Sequence, residues 1–214
     1  MFAYCLNNPA NGFDPGGTRF QDPNYRYYGG LTEYTDTGTG PEVLSVSAPS
    51  GATLIMCGGC ITITANMTFE GPLDEDELIN GIKTYWDGRY LYNGNQYYLT
   101  IVINKRAAPA PGVIAVYTDS GNGTSFTHPC WMTYKKNNNS ITIFEHYESG
   151  AEKNVPWVMA HEFGHSLGVA DFNGYIPRDS SQAYIMNNIG AHANNYELAM
   201  VIAAFLTGRY QEWG

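Results

Sequence analysis

The chain has 214 residues, enough for one domain or one domain with a short appendage. Its 43% hydrophobic content excludes a disordered chain, and a formal charge of −9 without any basic run argues against a nucleic-acid-binding surface. The longest apolar run, Leu198 to Leu206, is far short of the ~18–20 residues of a membrane-spanning helix, and the opening MFAYCLNNPA lacks the basic and apolar regions of a secretory signal.

Residues 1–18 are rich in Asn, Gly and Pro and show no periodicity, so they read as a loop-like segment of their own. Within them, Ala3-Tyr4-Cys5-Leu6-Asn7-Asn8-Pro9 leads into Asp14-Pro15-Gly16-Gly17. That pairing resembles the end of the core domain of RHS-repeat proteins. The resemblance implies that a variable C-terminal tip follows, often a toxin, delivered to a target cell as part of a larger protein and countered by a cognate immunity protein. Thr18 stands where many members of that family carry Leu at a self-cleavage point, so this segment is not expected to cut itself.

Residues 19–60 form an expected N-terminal extension, rich in Tyr, Gly and Thr, with short strands at Glu42–Ser47 and Thr53–Met56. From residue 61 an alternation of strand and helix signals begins. Ile61 to Ala65 alternates with period two, as a strand does. Asp74 followed by Glu75, Asp76 and Glu77 marks a helix start, and Leu78, Ile82, Tyr85 and Trp86 continue it to Gly88. Tyr97–Asn104, Val113–Tyr117, a weaker stretch at Trp131–Tyr134, and Ile141–Phe144 read as strands, with a turn over Lys135–Asn139. Asn154 then caps a helix that tolerates Pro156 in its first turn and stops at Gly168. Tyr196–Thr207 is apolar nearly all round, hence a buried helix, and Gly208 ends it.

The chemistry concentrates in Ala160-His161-Glu162-Phe163-Gly164-His165-Ser166-Leu167-Gly168-Val169-Ala170-Asp171. Histidines at i and i+4 sit ~40° apart around a helix, so both imidazoles reach one ion, while Glu162 lies ~100° from His161, close enough to meet a water there. Two incidental surface histidines are the bland alternative. The apolar flanks Trp157, Val158, Met159, Phe163 and Leu167 argue against it, because they make this a core helix. Gly168 permits a sharp, left-handed turn after which Asp171 folds back as a third ligand.

The string HExxHxxGxxD resembles the extended zinc motif of metzincin peptidases, in the variant with Asp in place of a third His. The resemblance implies an α+β fold over 61–214: a twisted, mostly parallel sheet, an active-site helix, a Met-turn and a C-terminal helix. It implies one catalytic zinc on His161, His165 and Asp171, with Glu162 as general base, acting on a protein or peptide substrate. Met186, 15 residues after Asp171, suits the Met-turn, although Asn188 occupies the place of that family's Tyr, for which Tyr175 or Tyr184 could substitute. An Asp ligand lowers the charge around the metal relative to three histidines and should move the pH optimum upward. Thr124–Thr133 is the expected edge strand along which substrate adds.

Other readings remain open. In gluzincins the third ligand is a Glu on a later helix, and Glu197, 32 residues past His165, could serve; it could equally be a first-turn acid that favours its helix dipole. A catalytically silent, metal-stabilised binding tip is the non-enzymatic alternative. His128, His146 and His192 lack partner spacing and read as structural or surface residues. Cys57 and Cys60 form a CxxC without a second pair to complete a zinc site, so they read first as turn or buried cysteines and second as a local disulfide.

Overall fold

A computed structural model describes residues 43–129, 139–171 and 184–211. The segment resembling an RHS core, the Trp131–Tyr134 stretch and Tyr175 lie outside those residues. In chain order the elements are β1 (Leu44–Ser47), β2 (Thr53–Cys57), β3 (Cys60–Glu70), α1 (Glu75–Trp86), β4 (Gly88–Tyr92), β5 (Asn95–Lys105), β6 (Ile114–Asn122), β7 (Phe126–His128), β8 (Ser140–His146), α2 (Val155–Ser166) and α3 (Asn195–Thr207).

All eight strands among the described residues belong to one sheet. β3 is its spine. Ile61, Ile63, Ala65 and Met67 point into the core while the residues between them face out, as period-two alternation requires. β5 runs parallel along one side of β3 from residue 60 to 67. β2 pairs antiparallel with residues 60–64 on the opposite side, and β6 continues that side in parallel from Met67 to Glu70. β8 adds in parallel to β6, and β7, antiparallel to β8, is the outermost strand on that side among the described residues. β1 and β4 add antiparallel to β2 and β5. The protein is thus α+β, with a parallel core β5-β3-β6-β8 inside a mixed sheet. The expected division at residue 60 falls at the β2–β3 turn, so residues 44–57 share the sheet of the segment that follows.

The helices cover the buried face. Asp74 caps α1 by accepting from Glu77 N at 2.8 Å, and three acids in the first turn complement the positive end of its dipole. Leu78, Ile82 and Trp86 form its inner stripe. Trp86 Nε1 donates to Ala160 O at 2.9 Å, tying the end of α1 to the middle of α2. Asn154 caps α2 through Trp157 N, with Pro156 in the first turn. The last turn closes at Leu167, and Gly168 follows with φ of 97°, the left-handed conformation expected there. α3 begins with a capping box between Asn194 and Glu197 and ends at Gly208.

Three strands differ most from expectation, and one of them, β6, runs on to Asn122, past the expected Val113–Tyr117. β4 is an additional strand, joined to β5 through Asn93-Gly94. β3 extends to Glu70, beyond the alternating stretch, because its upper half finds a second partner in β6.

Candidate metal centre

α2 presents His161 and His165 on one face, with their rings edge-on and centroids 5.0 Å apart. The backbone turn at Gly168 then returns the chain, so that Asp171 Oδ1 lies 3.2 Å from His161 Nε2 and 3.3 Å from His165 Nε2. Among the described residues, His161, His165 and Asp171 form the one group of three donors close enough to hold a metal ion.

The protonation pattern follows from the partners of the other ring nitrogens. His161 Nδ1 lies 3.0 Å from Ile185 O, and His165 Nδ1 lies 2.8 Å from Val169 O. A carbonyl only accepts, so each Nδ1 carries the proton and donates it. Each Nε2 then offers a lone pair toward the Asp171 carboxylate, which also only accepts. Acceptors this close repel one another unless a cation or a proton lies among them. Without a metal, a proton takes that place. Burial opposes charge on His161, but the Asp171 carboxylate and Glu162 outweigh it and raise its pKa. The same hydrogen bonds, from His161 and His165, hold the Asp171 carboxyl well below the usual carboxylate range.

The spacing suits a metal ion. Two donors each ~2.0 Å from one ion at the tetrahedral angle lie ~3.3 Å apart, and Asp171 Oδ1 has that separation from both Nε2 atoms. The histidine side chains are nearly enclosed, whereas the Asp171 side chain is 55% exposed, so the site opens to solvent on its carboxylate side.

Glu162 is 5% exposed. Thr127 Oγ1, on the edge strand β7, lies 2.7 Å from Glu162 Oε2 and 2.9 Å from the Glu162 backbone carbonyl oxygen. One carboxylate oxygen is therefore fixed by the edge of the sheet. That edge strand, Phe126–His128, falls inside the expected Thr124–Thr133 range.

Met186 sits under α2. A Cβ placed on Gly164 would lie 2.6 Å from Met186 Sδ, so glycine is what lets the sulfur approach the helix backbone between the two histidines. Glu197 holds this turn from below. Its Oε1 accepts from Met186 N and its Oε2 from Asn194 N, both at 2.9 Å. Both oxygens thus serve backbone N–H groups, and Glu197 is not among the clustered donors. Asn188 closes the turn at Tyr184, accepting from its N–H and donating to its carbonyl. Tyr184 is buried against Tyr196.

Two contributors have no signal in the local sequence. Tyr210 OH lies 3.0 Å from His165 Nδ1, a second acceptor for that N–H. Gln211 accepts from Ala170 N and donates to Gly168 O, so the chain beyond α3 clamps the turn that delivers Asp171. The remaining histidines stand apart from the cluster: His128 packs on Phe126, His192 on Tyr85, and His146 Nδ1 is 3.3 Å from Ser120 O. Cys57 and Cys60 are free thiols.

Comparison with protein-family models, with curated proteins and with solved structures finds no match to this chain.

Proposed function

We propose that the chain is a zinc-dependent endopeptidase of metzincin type, acting as the effector tip of a larger RHS-type protein. The observation that carries the reading is the convergence of two imidazole lone pairs and one carboxylate oxygen beside a buried, anchored Glu162. A site built only for stability has no need of that carboxylate.

His161, His165 and Asp171 would hold the ion. A zinc ion there supplies acidification of a water and polarisation of a carbonyl oxygen. The chain's own residues do the remaining work. The carbonyls of Ile185 and Val169 keep both Nδ1 atoms protonated, which keeps both Nε2 lone pairs directed at the site. Glu162 accepts the proton of the attacking water and passes it to the leaving amine. Thr127 fixes one of its oxygens and leaves the other to handle the proton. β7 offers the sheet edge beside this carboxylate, on which an extended peptide can add as a further strand.

Glu162→Ala separates enzyme from silent metal site. The variant should retain zinc, while hydrolysis of a denatured protein substrate falls by at least ~100-fold, the scale of a lost general base. Equal hydrolysis by variant and parent would contradict the assignment.

A further inference from the structure

The CxxC pair has no part in the metal centre. Cys57 ends β2, Cys60 begins β3, and the two are direct partners across the hairpin. The turn between them is Gly58-Gly59, with φ of 57° and 82°. Two consecutive left-handed residues make the tight primed turn that matches strand twist, and only glycine adopts it without cost. Partners across antiparallel strands project to the same face. Here that face is the outer one, shared by Ile55 and Thr62, whereas Leu54, Ile61 and Ile63 turn inward. Both thiols therefore lie side by side on the exposed surface of the sheet. Tyr98 N donates to Gly59 O at 2.9 Å, which holds the turn against β5.

We infer that Cys57 and Cys60 are a reversible dithiol–disulfide pair, oxidised by a small-molecule disulfide and reopened by the corresponding thiol. The pair flanking a two-residue turn is hydrogen-bonded, with Cα atoms ~5.5 Å apart, inside the range a disulfide spans. Its Cβ atoms stand wider than the ~3.8 Å that a relaxed disulfide favours, so the bond closes by twisting the hairpin. A bond made under such strain, on an exposed face, belongs to the readily reduced class. With oxidised glutathione, one cysteine thiolate attacks the reagent, forming a mixed disulfide and releasing one glutathione thiolate. The second cysteine thiolate then attacks the protein-side sulfur, forming the Cys57–Cys60 bond and releasing the second glutathione. Two protein thiols are oxidised, one glutathione disulfide is reduced to two thiols, and the protons pass to solvent. This chemistry does not depend on the peptidase reading.

Trypsin places both cysteines, and no other, in the fragment 27–83 between Arg26 and Lys83. The test treats the intact chain with oxidised glutathione, blocks remaining thiols with an alkylating reagent, digests it and weighs that fragment. The expected fragment is unalkylated and lighter by two hydrogens. Excess reduced glutathione before alkylation should return it to the doubly alkylated form. In Cys57→Ser, Cys60 should stop at the mixed glutathione disulfide. The proposal is overturned if the parent fragment stays doubly alkylated or stops as a glutathione adduct. It is equally overturned by a link to Cys5 or Cys130, or by a Cys57–Cys60 bond that resists excess glutathione.

Discussion

Glu162 and Thr127 are 35 residues apart in sequence and 2.7 Å apart in space. The hydroxyl satisfies one oxygen of a buried carboxylate and, through it, sets where the other oxygen points. Thr127→Val preserves the shape of the side chain and removes the donor. The expected result is a fall in kcat of roughly 10–100-fold, the usual effect of losing an outer partner of a metal-site residue, with KM and zinc content little changed. Thr127→Ser should restore kcat. Steady-state kinetics on a peptide substrate checks both, and an unchanged kcat in the valine variant would remove Thr127 from the site. The local motif was fully legible at this scale, because helix geometry and one glycine turn determine where His161, Glu162, His165 and Asp171 lie. Thr127 and Tyr210 were not, since each reaches the motif from a distant element and neither carries a distinguishing spacing.

At the scale of elements, the Met186 turn and α3 are joined by a single carboxylate. Glu197→Ala would leave the N–H groups of Met186 and Asn194 without their acceptor. At ~1–3 kcal/mol for each of the two buried groups left unpaired, the loss should be about 2–6 kcal/mol by urea denaturation; a loss under ~1 kcal/mol would show that the turn does not depend on α3. The same carboxyl makes a pH prediction. Burial pushes Glu197 from 4.5 up to about 7. The folded form then binds more protons than the unfolded form between those values, so the stabilising contribution is fully present below the lower one and is lost as pH rises through the upper. Measured metal-free, the stability of the parent relative to Glu197→Gln should decline by on the order of 3 kcal/mol across that window and level off above it. A difference that rises with pH would reverse the assignment. Among the readings open for Glu197 in the sequence was a first-turn acid on a helix, and its capping box has that character. Asn93-Gly94 is a strong hairpin signal, but β4 begins at Gly88, directly after α1, where a glycine also reads as a helix stop.

At the scale of the whole molecule, α2 supplies two candidate ligands, the turn after it a third, and the chain through Gln211 pins that turn from the far end of α3. A metal held at this junction would bind the folded chain and stabilise it by mass action, about 2.7 kcal/mol when free metal is at 100 times Kd. For a chain of this size that corresponds to a Tm roughly 5–10 °C higher than after chelation. An identical Tm with and without chelator would deny the metal any structural link. The alternation of strand and helix signals was legible from residue 61, and the helix between Ile61–Ala65 and Tyr97–Asn104 is the crossover that lets β3 and β5 run parallel. Assigning residues 44–57 to the same sheet was not possible in that way, because short Tyr-, Gly- and Thr-rich strands carry no mark of the partner they will find.

The most direct measurement is zinc per chain by elemental analysis, in the parent and in Asp171→Ala purified side by side. One zinc per chain in the parent and a large loss in the variant is the predicted result. Full zinc in both would remove Asp171 from the ligand set, and a parent that takes up none even when zinc is supplied would contradict the metal centre and the peptidase built on it.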